Sequence, residues 1–298
     1  MYGDKIMSND WKNEELKHLA VLWDTRPPIT LSHTKKDWNR RAVSWEQGLR
    51  ENESRRKRSE KRVKATVDYL VSMGALGPET DVIDIGCGPG RFVAEFAGIA
   101  RHATGYDLSD SMVEYGREFC RERGISNVTF RSGDFKELDV EAEGLAGRYD
   151  LVFSSITPAM GYRDGYKKGM LMTNGWFFNA CYVSSVDTLQ EKLDQKLGIR
   201  TLRKDFGSGF YCMLNELFLT GMHPELKYYN EESFEAYDED SALAEYAHVM
   251  LKDEGTPEQI EELKRAISQI GEAEGEIRSH KQWVYAWMIV DKKGRNVL

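Results

Sequence analysis

Residues 82–92 read Val82-Ile83-Asp84-Ile85-Gly86-Cys87-Gly88-Pro89-Gly90-Arg91-Phe92, and this segment decides the fold of the 298-residue chain. A short apolar run is followed by three alternate glycines and then by a helix-like pattern, which predicts a strand, a tight turn and a helix. Glycine adopts backbone dihedrals that are closed to other residues, and it lets a ligand lie directly against the chain. The first turn of a helix adds N–H groups without partners. The segment therefore predicts a corner that a ligand approaches.

Strand-like and helix-like segments alternate regularly after this corner. The predicted strands are residues 81–85, 102–107, 128–132, 149–154 and 176–184. Helices are predicted over residues 91–99 and 109–123, and Ser109 is the expected N-cap of the second. Strands separated by helix-length segments imply right-handed crossovers and a parallel, doubly wound sheet. In such a sheet, ligands bind at the carboxyl ends of the strands.

The flanking parts of the chain show other patterns. Before the core, residues 9–23 and 35–73 predict helical segments. After the core, helices are expected at residues 186–197, 241–252 and 257–270. Two β-prone runs, residues 210–220 and 226–237, predict an antiparallel hairpin, and residues 282–290 predict a final strand buried on both faces.

Composition narrows the class of protein. The formal net charge of -8 disfavours a general nucleic-acid binder. Charge is uneven, because residues 35–64 are strongly basic and residues 231–276 strongly acidic. These runs indicate either solvated helix faces that can pair with each other or, for the basic run, a polyanionic partner.

Several signals for export, membrane insertion and metal binding are missing from the sequence. No run of about 18 apolar residues exists to cross a membrane, and residues 1–10 do not resemble a secretory leader. We therefore expect a cytoplasmic protein. The four cysteines form no CxxC pair, which argues against a zinc knuckle or a disulfide framework, and we predict no metal site.

Three acids end three successive predicted strands: Asp84, Asp107 and Asp134. Because the carboxyl ends of parallel strands share one edge, we expect these carboxylates to line one cleft. Asp107 follows the glycine turn by roughly 20 residues, a spacing at which an acid accepts hydrogen bonds from ribose hydroxyls. Asp134 can accept from the exocyclic amine of a base while Phe135 addresses its ring. The alternative for Asp134 is to stabilise a turn.

The type of nucleoside cofactor follows from the glycine spacing. The dinucleotide pattern GxGxxG requires glycine where this chain has Arg91, and from Gly86 the spacing is GxGxG. The chain also lacks the phosphate-binding pattern GxxxxGK[ST]. A cofactor with a cationic, zwitterionic tail suits a turn surrounded by acids better than one with a pyrophosphate.

Four segments together resemble the class I S-adenosylmethionine-dependent methyltransferases. Residues 82–90 resemble their motif I, residues 105–109 with Met112 motif II, residues 133–135 motif III, and residues 149–155 motif IV. The resemblance covers residues 65–185. It implies a doubly wound, Rossmann-like α/β fold with a seven-stranded, mostly parallel sheet and an antiparallel last strand. N-terminal helices and an added α+β segment would complete the fold.

The resemblance also implies roles for individual residues. The methionine part of the cofactor would be surrounded by Asp84, Gly86, Cys87, Gly88 and Gly90. Asp107 would bind the ribose, and the adenine would be contacted by Leu108, Met112, Asp134 and Phe135. Ser154 would lie below the reactive methyl group. An N-terminal helical lid would cover the cofactor with Trp38 and Trp45, although a tryptophan stripe on a helix can equally belong to a core.

The resemblance further implies a domain organisation. Residues 1–64 would form the lid, 65–185 the cofactor-binding core, 186–270 an insertion that shapes the acceptor pocket, and 271–298 the closing strand.

The catalytic residues remain open at this level. Transfer from a sulfonium is an in-line displacement, and a general base is needed only if the acceptor must lose a proton. His33, Thr157 and Tyr162 are candidates, although Thr157 and Tyr162 can equally cap a helix or pack. The sequence Ser154-Ser155-Ile156-Thr157-Pro158 departs from the Asn/Asp-Pro-Pro-Tyr/Phe pattern, which argues against methylation of adenine or glutamine nitrogens.

We therefore expect a methyltransferase that acts on a small-molecule acceptor, and the net charge disfavours nucleic acid as a partner. The alternatives are methylation of RNA or protein, and a catalytically silent cofactor-binding protein. The sequence does not indicate the oligomeric state.

Overall fold

The computed structural model of the chain describes residues 10–25, 34–39, 42, 52–199, 207–251 and 255–294. The chain forms two compact units. The first unit comprises Met1–Cys181, Gly207–Lys227 and Ala286–Leu298. The second comprises Tyr182–Phe206 and Tyr228–Tyr285. The proposed division into lid, core, insertion and closing strand stays a prediction.

The strands form one seven-stranded sheet in the order β3-β2-β1-β4-β5-β7-β6. They are β1 (Asp81–Ile85), β2 (His102–Asp107), β3 (Val128–Ser132), β4 (Tyr149–Ser155), β5 (Thr173–Asp187), β6 (Glu225–Tyr237) and β7 (Ile277–Asp291). Neighbouring strands from β3 to β5 are parallel. The chain just after β7 donates from Lys292 N to Gly175 O near the start of β5, so β7 runs antiparallel. The predicted fold class is confirmed.

Helices connect and flank the strands. They are α1 (Asp10–Asp24), α2 (Glu53–Ser72), α3 (Arg91–Ala97), α4 (Asp110–Glu122), α5 (Arg163–Met172), α6 (Thr188–Leu197), α7 (Gly207–Leu219), α8 (Glu239–Met250) and α9 (Pro257–Glu274). Ser109 caps α4 as predicted, because its side chain accepts a hydrogen bond from Met112 N at 3.1 Å. Among the described residues, no helix is both long and apolar enough to cross a membrane.

The centre of the sheet is apolar on both faces, which is why its strands carry continuous hydrophobic runs. All five residues of β1 are buried, and Ile83 pairs with Thr104 of β2 and Val152 of β4. Phe153 stacks on Phe178 with ring centroids 5.0 Å apart. The strand registers and this packing fix β1 and β4 against residues 173–180 of β5.

One predicted element is wrong. Residues 210–219 lie in helix α7, so the predicted hairpin with residues 226–237 does not form. The buried side chains Phe210, Met213 and Leu217 recur at intervals of three and four, which is helical spacing. The high content of aromatic and apolar residues in this run conceals that period. The second predicted run is a strand, β6, and its neighbour in the sheet is β7.

The second unit has a core of its own. Its buried residues are Leu189, Leu193, Ala242, Tyr246, Leu263, Ala266, Ile267, Ile270 and Ile277. A polar network anchored on Asp187 lies beside this core. The Asp187 carboxylate accepts hydrogen bonds from Gln190 N at 3.1 Å, Tyr246 Oη at 2.8 Å and Ser279 Oγ at 2.7 Å. One carboxylate thus ties together the end of β5, two helices and β7.

The basic run identified in the sequence falls partly on α2. Within this helix, Lys57 pairs with Glu53 at 2.7 Å and Lys64 with Asp68 at 2.9 Å. These exposed pairs lie one helical turn apart and contribute a few tenths of a kcal/mol each, roughly. They favour the interpretation of a solvated helix face.

Candidate functional site

The glycine turn between β1 and α3 is fixed to the neighbouring strand. Gly86 N and Cys87 N both donate to Tyr106 O of β2, at 2.7 and 3.2 Å. The turn is thus held at the carboxyl edge of the sheet, beside Asp107 at the end of β2.

The glycines of the turn face three different environments. A Cβ atom on Gly86 would lie 2.2 Å from Thr157 Oγ1, and one on Gly90 would lie 2.7 Å from Phe130 Cζ. At Gly88 the nearest atom would be Met112 Sδ, at 4.0 Å. Gly86 and Gly90 therefore permit close packing within the protein, whereas Gly88 presents its backbone to open space where a ligand can approach.

Asp107 is held by two backbone donors. Its Oδ2 accepts from Gly88 N and its Oδ1 from Ser109 N, both at 2.8 Å. Burial raises the pKa of this carboxyl group, while the hydrogen bonds from Ser109 and Gly88 act in the opposite direction. The carboxylate is thereby placed between the glycine turn and the start of α4. A side chain oriented in this way can accept hydrogen bonds from vicinal hydroxyls.

Asp84 is the least satisfied acid of the site. The side chain is 2% exposed, and its Oδ2 has no hydrogen-bond partner among the described residues. Burial and the nearby charge of Asp107 raise its pKa well above the ordinary value. A buried acceptor oxygen without a partner costs free energy, which a cationic ligand would recover. The two carboxylates and the open face of Gly88 therefore fit a cofactor with a cationic amino-acid tail.

The Cys87 thiol is buried and lies against Gly105 of β2. Burial raises its pKa well above the ordinary value of a thiol. The side chain is therefore protonated at neutral pH and is no nucleophile.

The residues expected around the adenine lie beyond Asp107. Met112 is buried and Leu108 is half-buried. Phe135 is buried and lies edge-on to Tyr106 at 6.1 Å. Asp134 is exposed, and its Oδ1 accepts from Lys136 N at 2.9 Å, so this residue at least stabilises the turn.

A strained residue follows directly after β4. Ser154 is fully buried, and its hydroxyl donates to Asn179 Oδ1 of β5 at 2.9 Å. Two residues later, Ile156 has a φ of 55°, an uncommon conformation for a β-branched residue. Backbone strain of this kind concentrates at functional sites, and here it directs the chain toward the glycine turn.

Thr157 and Tyr162, the candidate catalytic residues, lie on either side of a short 3-10 turn, Pro158–Gly161. Thr157 packs on Gly86 and its Oγ1 accepts from Ala159 N at 3.2 Å. Tyr162 stacks under the Lys136 ammonium, with Nζ 3.5 Å from the ring centroid. Thr157 therefore packs the loop after β4 against the glycine turn. His33 and Trp45 lie outside the described residues, and Trp38 is half-buried.

Residues 34–39 belong to the segment expected as a lid, and they meet the same site through Asn39 and Lys35, which the sequence did not single out. Asn39 Oδ1 accepts from Ser109 Oγ at 2.6 Å, and Lys35 Nζ pairs with Asp110 Oδ2 at 2.7 Å. Contacts across about 70 positions of chain leave no periodic pattern, so no sequence signal could have identified Asn39.

The chain is similar to known proteins in family, sequence and structure. A family model described as a methyltransferase domain matches residues 76–254. The solved structure of BH2331 from Bacillus halodurans C-125, a methyltransferase by assignment, superposes with a TM-score of 0.50 at 15% identity. The superposition covers 76% of this chain and 99% of that one, and it supports the fold.

Two curated relatives match shorter segments. The 23S rRNA (uracil(1939)-C(5))-methyltransferase RlmD of Alkalilimnicola ehrlichii is 30% identical over 89 residues, which is 30% of this chain and 20% of the relative. The human EEF1A lysine methyltransferase 2 is 27% identical over 123 residues, which is 38% of this chain and 52% of the relative. The chain thus spans only a fifth to a half of the length of these relatives. Because the family model matches more than half of its residues, the chain belongs to the methyltransferase domain family.

Proposed function

We propose that the chain transfers a methyl group from S-adenosylmethionine to a small-molecule acceptor, and that the turn between β1 and α3 holds the methionine part of the cofactor. The unpartnered oxygen of Asp84, buried next to Asp107, carries this proposal. An ammonium group placed there would satisfy the oxygen and compensate the buried charge. Asp107 would accept from the ribose hydroxyls, with Met112 and Phe135 beside the adenine.

The cofactor supplies an electrophilic methyl group on a sulfonium, and its thioether leaves without protonation. The protein then has to hold the acceptor in line and exclude water. Thr157 and the strained Ile156 form the surface that follows β4 at this edge of the sheet. The Thr157 hydroxyl, which accepts from Ala159 N, would donate its proton to a polar acceptor, and a proton acceptor is required only for an acceptor that reacts as its anion.

Charge supports a small acceptor over a polyanion. The chain carries a net charge of -8, and basic residues of α2 such as Lys57 and Lys64 already pair with acids of the same helix. The net negative charge on the rest of the chain would repel a polyanionic RNA at long range. The RlmD match covers 30% of this chain and 20% of the relative, so the acceptor of that relative does not carry over to this chain.

Asp107→Ala should weaken binding of S-adenosylhomocysteine, used as the probe, by roughly 10- to 100-fold, because a charged acceptor for hydroxyl groups is lost. Isothermal titration calorimetry gives the affinity directly. Asp68→Ala is the matched control, since it removes an exposed carboxylate of α2. Unchanged affinity in a folded Asp107→Ala protein would show that the ribose lies elsewhere.

The salt dependence of cofactor consumption tests whether the acceptor is a small molecule or RNA. Cofactor consumption is measured with fractionated metabolites and with total RNA, at 50 and 300 mM NaCl. We expect turnover with a low-molecular-weight fraction and little change with salt, because no phosphate backbone is bound. Turnover that requires RNA and falls steeply with salt would establish the RNA alternative instead. Tight cofactor binding with no consumption in any fraction would support a silent binding protein.

A further inference from the structure

The segment of residues 34–39 contacts the first turn of α4 through two side chains. Asn39 Oδ1 accepts from Ser109 Oγ at 2.6 Å and from Ser111 N at 3.4 Å. Lys35 Nζ lies 2.7 Å from Asp110 Oδ2. The Lys35 and Asp110 side chains are about half exposed, so solvent screens their pair, whereas Asn39 is half-buried and Ser109 fully buried. The Asn39–Ser109 hydrogen bond is therefore the stronger of the two contacts.

Ser109 connects this contact to the cofactor site. Its hydroxyl has one proton, which it donates to Asn39, and its oxygen accepts from Met112 N at 3.1 Å. Its backbone N–H donates to Asp107 Oδ1 at 2.8 Å. A continuous series of hydrogen bonds thus runs from Asn39 through Ser109 to Asp107, and from there to Gly88 N.

We infer that Asn39 is a positioning residue for cofactor binding, acting through Ser109 on the carboxylate of Asp107. This inference rests on the proposed ribose-binding role of Asp107. Asn39 satisfies the buried Ser109 hydroxyl and holds the N-cap in the geometry that directs Ser109 N–H at Asp107. Without this acceptor, the hydroxyl proton has to find another partner and the cap shifts. The Asp107 carboxylate then loses the hydrogen bond from Ser109 N and keeps the one from Gly88 N.

A purely structural contact would behave differently from a positioning contact. Loss of a packing contact lowers the stability of the cofactor-free protein and leaves the affinity of the folded protein unchanged. Loss of a positioning contact lowers affinity in a protein that is still folded. The distinguishing measurements are the dissociation constant of S-adenosylhomocysteine and the melting temperature of the cofactor-free protein.

Asn39→Leu should raise the dissociation constant of S-adenosylhomocysteine about tenfold, as expected for one lost hydrogen bond to a buried group. Asn39→Asp keeps the acceptor oxygen and should restore the affinity to within about threefold. Ser109→Ala should weaken binding to a similar degree, and the double variant should be no worse than either single one, because both act through the same bond. Asn127→Leu, which removes hydrogen bonds to Ala97 O and Ala100 O, is the control. It should leave the affinity unchanged.

The inference is overturned if Asn39→Leu binds as tightly as the unmodified chain, or if Asn39→Asp is as weak as Asn39→Leu. Additive losses for Asn39→Leu and Ser109→Ala would also overturn it. Asp107→Ala separates this failure from failure of the proposed function. If Asp107→Ala loses affinity and Asn39→Leu does not, only the coupling through Ser109 is wrong. If neither loses affinity, the ribose assignment itself is wrong.

Discussion

Replacing Asp84 with asparagine should stabilise the cofactor-free protein by about 1–2 kcal/mol at neutral pH while removing most of its affinity for the cofactor. The carboxylate is buried, and its Oδ2 lacks a partner among the described residues. Asparagine has similar shape without the charge that has to be desolvated. The residue therefore costs stability in the free protein and becomes useful only when a cation is bound.

The contribution of Asp84 to the free energy of unfolding should depend on pH, with a sign that follows from its raised pKa. Burial raises the pKa of Asp84 in the folded protein, so between the unfolded and folded values the folded state binds more protons. The contribution of Asp84 to stability therefore falls as pH rises through this interval, and its full cost is present above the folded pKa. The advantage of Asp84→Asn should be absent at pH below the ordinary aspartate value, grow with pH, and then level off.

Urea unfolding between pH 4 and 8, with and without S-adenosylhomocysteine, measures both effects. The ligand should stabilise the unmodified chain and have little effect on the variant. Binding to the unmodified chain should also release a proton near the raised pKa, because a nearby ammonium lowers it, and calorimetry in two buffers detects this release. A variant that is less stable at every pH and binds normally would contradict the assignment. Asp68→Asn serves as the exposed control.

Gly90→Ala and Gly88→Ala should separate folding from binding within one turn. Gly90 has a φ of 72°, and a Cβ there would lie 2.7 Å from Phe130 Cζ and 3.1 Å from Gly116 Cα. The backbone strain and the overlap together should cost about 2–5 kcal/mol, a large part of the stability of a typical domain. We expect Gly90→Ala to be poorly folded at 37 °C.

In Gly88→Ala, backbone strain alone should lower the free energy of unfolding, because the added Cβ meets no close atom. Its φ is 50°, and the nearest atom to an added Cβ is 4.0 Å away, so the expected loss of stability is about 1–2 kcal/mol. The methyl group would occupy the open side of the turn and should reduce binding of S-adenosylhomocysteine at least tenfold, roughly.

Gly124→Ala is the matched control, because Gly124 has a φ of 67° and no atom within 4 Å of an added Cβ. Circular dichroism melting and calorimetry should show similar stability for Gly88→Ala and Gly124→Ala, with lost binding only in the former. Equal affinities in the two variants would mean that the ligand does not approach Gly88.

The sequence was sufficient for features that depend on neighbouring residues. Apolar runs of strand length, the alternate glycines and Ser109 at the start of α4 are local signals, and the structure has β1, β2 and β3 at the predicted residues. Residues 210–220 were assigned wrongly because aromatic and apolar residues suit both a strand and a buried helix. Only their packing, with Phe210, Met213 and Leu217 buried, distinguishes the two.

The sequence by itself therefore determined the parallel strands β1 to β4 and the glycine turn, because these depend on residue types at short, regular spacings, and its motifs resembled those of the methyltransferase family. Only the tertiary structure decided what each glycine of the turn faces, that one oxygen of Asp84 is buried without a partner among the described residues, and that Asn39 reaches Ser109. These features arise from atoms brought together across long stretches of chain. Such contacts depend on packing geometry, which no local pattern of residue types records.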